Sequence, residues 1–322
     1  MTSYLGLYAA SALALTLCAG AVMAQTYPSK PIRAIVPFGP GGPGDFLTRT
    51  LGAKFAEATG QQWIVDYRAG ANGMVGTELL TRAAPDGYTL SLATNGTHGI
   101  NASLFPKQPF DSVKDFAPIT RIGMAPFLFV THPSLPVRNV KELIALARAR
   151  PGEITWGSGG SPTQLAAELF KKTTGASFIV VSYKGNGPAV TATISGEVSV
   201  LFANVAQSAP QVKAGRLRAI GVGSLERSPV MPEVPTVSES GAPGFEAGAW
   251  YGMLAPAATP RPIVERLHTE LTRILKLPDV QQRLRNEAYH IIADTPEQFT
   301  QAIRAEVAKW APIVKQAGLR SE

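Results

Sequence analysis

Tyr251-Gly252-Met253-Leu254-Ala255-Pro256 is the last extended apolar run of the chain, and the remainder reads almost entirely as helix, over Ile263 to Leu275, Val280 to Asn286 and Pro296 to Ala317. Helices that no strand follows need a sheet already built. This tail is therefore expected to fold back on the first strands of the chain. Such a return makes the chain cross between two units twice, near residues 122–130 and again near 246–256. Two crossings make a hinge, and a hinge opens and closes a cleft.

Working outward, the chain before that run alternates strand and helix. Ile32-Arg33-Ala34-Ile35-Val36-Pro37-Phe38 is a β-branched run followed at once by a glycine-rich turn. Leu47, Leu51, Phe55 and Ala58 then share one helical face, which Gly60 closes. Strand Trp63 to Tyr67, helix Val75 to Ala84, the turn Pro85-Asp86-Gly87 and strand Tyr88 to Ala93 complete a first α/β unit. A second unit runs from the apolar stretch Ile122 to Val130 through helix Val140 to Ala149 and strand Ile154 to Gly157. It continues through strands Phe178 to Val181, Val198 to Phe202 and Ala219 to Val222, with helices between them. Alternation of this kind implies parallel sheets with right-handed crossovers. The expected fold is α/β: a two-domain periplasmic binding protein, a Venus flytrap, with two interdomain crossovers. Residues 25–124 and 250–322 would form domain 1 and residues 125–249 domain 2.

The first 24 residues contain no Asp, Glu, Lys or Arg, and they run through Leu13 to Leu17 to Val22-Met23-Ala24. They read as a secretory signal, 1–24, cleaved near Ala24, although the usual basic start is missing. The one cysteine, Cys18, falls inside it, and Leu17 is too bulky for lipoprotein processing there. The mature protein would then be periplasmic, with no disulfide. Four scattered histidines offer no metal-site spacing, and no cofactor is expected. A net charge of +7 spread singly along the chain, with no basic and aromatic cluster, argues against nucleic acid and for a mild attraction of anions.

The loop Gly39-Pro40-Gly41-Gly42-Pro43-Gly44-Asp45 matches G-x-G-x-x-G, with Asp66 at the spacing of a dinucleotide site. Pro40 and Pro43 remove two amide donors, however, and Asp45 puts a negative charge where a phosphate would lie. What such a loop can do is offer the amides of Gly41, Gly42 and Gly44 to a carboxylate at a helix N-terminus, unless it only shapes a turn that Asp45 caps. Thr94-Asn95-Gly96-Thr97, Ser158 to Ser161 and Tyr183 to Gly187 also follow strand ends, where open α/β sheets bind ligands. A catalytic reading pairs Ser158 with His98 or His132 as a secreted hydrolase, with no Gly-x-Ser-x-Gly elbow to support it. Asp111 and Asp115 sit in a polar loop.

The succession Tyr27-Pro28-Ser29-Lys30-Pro31-Ile32, Ile35 to Phe38, Gly41 to Asp45, Pro85 to Leu90, Asp115-Phe116-Ala117-Pro118, Tyr183-Lys184-Gly185 and Pro235 to Glu239 resembles the Bug family. These are substrate-binding proteins of the tripartite tricarboxylate transporter type, and the likeness extends to Leu254-Ala255-Pro256 and Trp310. The resemblance implies a monomeric receptor that delivers a small carboxylate to a membrane permease or a sensor. It also implies that loops at Phe38 to Asp45 and from Tyr183 act as pincers. Carried over, the ligand-binding set is Phe38, Gly41, Gly42, Asp45, Thr94, Asn95, Ser158, Ser161, Tyr183 and Asn204. The chain departs from the family at Ala203, near Ala192 and at Gln164, where acidic groups and a histidine are common. If these positions face the pocket, a simple carboxylate is favoured over an amino acid.

Overall fold

A computed structural model describes residues 27–183 and 185–319. The expected signal segment, with Cys18 and the cleavage point near Ala24, lies outside the described residues, as does Lys184 of the Tyr183-Lys184-Gly185 motif. Strand β1 (Ile32–Val36) leads to helix α1 (Pro43–Thr59), then β2 (Trp63–Tyr67), α2 (Met74–Thr81) and β3 (Thr89–Thr94). A π-helical turn at Gly96–Ile100 and the short α3 (Asn101–Leu104) come next, then the sixteen-residue β4 (Phe116–Thr131). The chain goes on through α4 (Val140–Ala149), β5 (Thr155–Ser158), α5 (Ser161–Thr174), β6 (Ile179–Ser182), α6 (Asn186–Ile194), β7 (Val200–Asn204), α7 (Val205–Lys213) and β8 (Arg218–Val222). It ends with β9 (Gly248–Pro256), α8 (Arg261–Leu275), α9 (Pro278–Asn286), β10 (His290–Ile291) and α10 (Pro296–Gln316).

The sheet order is β2-β1-β3-β9-β4-β7-β5-β6, with β10 and β8 also paired to β4. Strand alternation decides what each face buries. In β1, Ile32 and Ala34 join a core with Leu47, Leu51 and Phe55 of α1 and Leu267, Leu271 and Ile274 of α8. Ile35 points the other way, to Leu80, Trp250, Phe299 and Ile303. The second lobe repeats the device: Phe129 packs at 4.3 Å from Phe202 and 4.8 Å from Trp156, while Leu128 and Val130 face Leu201, Ala203 and Val222.

The two expected crossings are β4 and β9, which lie side by side. From Phe116 to Pro126, β4 pairs with β9, and from Phe127 to Thr131 it pairs with β7. Proline has no amide to give a ladder, and Pro126 stands where β4 changes partner. The expected parallel sheets need correction. The sheet is mixed: β1 is parallel to β2 and β3, but β9 runs antiparallel to both β3 and β4. A strand that returns from the other lobe enters the sheet from the opposite end. The tail also contains a strand, since His290 and Ile291 pair with Met124 and Gly123. Two residues are too few to show a period in the sequence.

Candidate functional site

Helix α1 begins at Pro43, with Gly42 as its N-cap and no side-chain cap. Proline at the first helical position loses nothing there, because that amide has no helical acceptor. Helix α7, in the other lobe, begins directly after β7, with Asn204 as N-cap and again no side-chain cap. Both N-termini open onto one cavity of about 270 Å³, lined from the first lobe by Gly41, Gly42, Pro43 and Phe46. The opposite wall is Asn204, Val205, Ala206 and Gln207; Ala125 and Pro126 of the hinge strand, Glu287 and Tyr289 complete it. Two positive helix ends from separate lobes thus face the same space, a setting that favours an anion.

Three of the sequence-derived candidates line that cavity: Gly41, Gly42 and Asn204. The other seven do not. Asp45 is a brace, since its carboxylate accepts Gly41 N–H at 2.8 Å, Arg49 Nε at 2.6 Å and Tyr67 OH at 2.6 Å. Burial alone would raise its pKa, but the hydrogen bonds from Tyr67, Gly41 and Arg49 hold the carboxyl below its ordinary 3.8. The Gly41 amide is thereby used and the Phe46 amide bonds to the Gly42 carbonyl, which leaves the Gly42 amide as this turn's donor at the cavity. Phe38 is half-buried on the first lobe and packs against Gly73, where an added Cβ would lie 3.3 Å from its ring and 2.7 Å from Thr97 Cγ2.

Thr94 and Thr97 satisfy each other: Thr94 N–H donates to Thr97 Oγ1 at 3.0 Å and Thr97 N–H to Thr94 Oγ1 at 3.1 Å. Asn95 donates Nδ2–H to the Gly248 carbonyl at 2.8 Å, tying β3 to the hinge. Ser158 is fully buried and donates to the Gly160 carbonyl at 3.0 Å, with Thr163 Oγ1 at 3.1 Å. Tyr183 OH donates to Glu197 at 2.7 Å, and burial followed by that bond pushes the phenol up to about 12. Ser161 accepts Nδ2–H of Asn72 at 3.0 Å, a bond that spans the two lobes.

The hydrolase reading does not survive this geometry. His98 is fully buried beside Phe116, burial lowers its pKa to about 3, and its Nδ1 meets Thr97 Oγ1 at 2.8 Å. His132 Nδ1 meets Ser134 at 2.6 Å. Neither imidazole is bonded to Ser158. The dinucleotide match fails as well, because Arg33 and Arg68 engage the Asp66 carboxylate. Among the described residues, no group of three or more His, Cys, Asp or Glu is placed to hold a metal ion.

The sequence reading missed Asn72, the first-turn amides of α7, Phe46, Glu287 and Tyr289. Gly70-Ala71-Asn72-Gly73 is a turn signature that could have flagged the first of these. The other positions approach the cavity only through tertiary packing.

Fold and cleft together define a two-lobed α/β solute-binding protein. The family model for the tripartite tricarboxylate transporter family receptor matches residues 47–319, and the chain belongs to that family. It is 35% identical over 305 residues to protein BugT of Bordetella pertussis, 94% of each chain being covered. Among solved structures, it is similar to an R. palustris protein with adipate: TM-score 0.81, 33% identity, 91% of this chain and 99% of that one. It is also similar to MatC of Rhodopseudomonas palustris with bound malate: TM-score 0.77, 30% identity, 89% and 100% covered. Members of this family bind solutes and are not enzymes, and this chain is a solute-binding protein.

Proposed function

We propose that this protein is an exported periplasmic receptor that closes two lobes around a small organic carboxylate and presents it, as a monomer, to a membrane permease or a sensor. The observation that carries the reading is the pair of helix N-termini, α1 and α7, facing one interlobe cavity. Adipate and malate in the related structures support the same ligand class. The lobes in this reading are residues 25–124 with 250–322, and residues 125–249, joined at the partner change of β4. Gly42 and Asn204 would meet the ligand directly in the closed form, with Gly41 held in the wall by Asp45. Phe38, Asp45, Thr94, Asn95, Ser158, Ser161 and Tyr183 would shape the loops around it or reach it as the lobes move. No helix among the described residues is long and apolar enough to cross a membrane.

Thermal unfolding with graded adipate or malate tests the proposal. A ligand that binds only the folded state at one hundred times its Kd stabilises by about 2.7 kcal/mol and raises Tm. The expected result is a saturable rise with one of these acids and no product after prolonged incubation. Flat melting curves with both acids and also with hexanoate and 6-aminohexanoate, or consumption of the acid, would overturn it.

A further inference from the structure

The cavity between the lobes is not uniform. Its two walls carry one helix N-terminus each, and both attract negative charge. Glu287, beside Tyr289, is the single charged side chain among the described residues of the lining. Among the described residues the Glu287 carboxylate has no ion pair, and no hydrogen bond to its side chain occurs. Arg283 lies over the Phe46 ring at 5.9 Å and is not among the residues that line the cavity. The Tyr289 pKa is raised first by burial, then by the charges of Tyr251 and Glu287.

A ligand anchored by a carboxylate at the helix ends therefore shares the cavity with an unpaired anion. A second carboxylate there would meet like charge and lose solvation without gaining a partner. An ammonium would gain a charge-assisted hydrogen bond.

We infer that Glu287 is the specificity-determining residue for the far end of the ligand, selecting a carboxylate that carries hydrogen-bond donors there, an ammonium above all, over a dicarboxylate. This rests on the cleft being a carboxylate receptor. It reverses the expectation of a simple acid drawn from Ala203, Ala192 and Gln164. Ala203 is fully buried in the second-lobe core with Leu128 and Val222, and Ala192 is buried too, so an acid missing from those positions says nothing about the ligand.

The test is calorimetric titration of the full mature chain, wild type and Glu287→Gln, with probes matched in length: adipate against 6-aminohexanoate, and succinate against 4-aminobutanoate, with hexanoate as the uncharged-end reference. Glu287 is exposed, so the variant keeps the core intact. The wild type is expected to prefer the amino acid of a pair by up to about fivefold, the upper end for a solvent-exposed charge pair. Glu287→Gln should abolish that preference through the two charged probes while hexanoate binding stays within about twofold. An unchanged ratio in the variant, or a wild type that prefers the diacid, overturns the role of Glu287 and leaves the receptor reading intact. Failure of every probe, hexanoate included, overturns the receptor reading and this inference with it.

Discussion

Asp45 shows how a residue of the right chemistry in the right loop can serve the scaffold. Its two oxygens hold the Gly41 amide, the Arg49 guanidinium and the Tyr67 hydroxyl, so it fixes the turn that aims α1 at the cavity. Because its pKa is lower folded than unfolded, its stabilisation is whole above the ordinary carboxylate range and is lost as pH falls from 3.8 through the lowered value. Asp45→Asn keeps the shape but removes an acceptor, and it should cost about 1–3 kcal/mol at neutral pH in a urea titration. The variant should also lose less stability than the wild type on acidification below 3.8. Equal loss in both proteins would show that this carboxylate does not drive the acid limb. The sequence made the loop visible, through Gly and Pro after a β-branched run. It could not show that Tyr67, the last residue of the next strand, would claim the carboxylate first.

At the scale of elements, most of the architecture was readable because strands and helices here keep their periods. Val140–Ala149 and Trp63–Tyr67 lie where their patterns put them, and Gly60 closes α1 in the left-handed conformation at φ 73°. What escaped was whatever depends on a neighbour: β10, the direction of β9, and the turn before α2. In that turn Ala71 and Asn72 have φ of 44° and 53°, a left-handed conformation that asparagine accepts better than most residues. The conformation lets the Asn72 carbonyl accept Asn101 Nδ2–H at 3.0 Å while its side chain reaches Ser161 of the other lobe. Asn72→Gly preserves the backbone and deletes only the bridge. It should weaken adipate or malate binding by about two- to tenfold, as expected for one hydrogen bond of 0.5–1.5 kcal/mol, with little change in urea midpoint. Calorimetry beside urea unfolding separates the two effects. A large fall in stability at unchanged affinity would make the turn a structural part of the first lobe alone.

The whole molecule turns on two adjacent strands. Ala125 pairs with Ala249 and Pro126 with Gly248, and at Phe127 the ladder passes to the other lobe. Gly248 is needed there because a Cβ would sit 2.8 Å from the Ala125 carbonyl oxygen and 3.1 Å from Pro126 Cα, both backbone atoms that cannot swing aside. Its own carbonyl receives the Asn95 side chain, so a displaced Gly248 also shifts the end of β3. Gly248→Ala should therefore splay β4 from β9 at the hinge, at a cost of about 1–3 kcal/mol. Phe127 and Ala249 beside this point belong to the buried cluster in which Phe129, Trp156 and Phe202 pack on one another and α1 packs on α8, but Gly248 itself has no side chain in it. Hydrogen exchange should accordingly show faster opening at 123–127 and 247–250 with protection of both cores kept, while small-angle scattering shows a larger radius of gyration than the wild type in saturating adipate or malate. If the cores lose protection together with the hinge, the two lobes and their connection form one cooperative unit, and closure about β4 and β9 is not how this protein holds its solute.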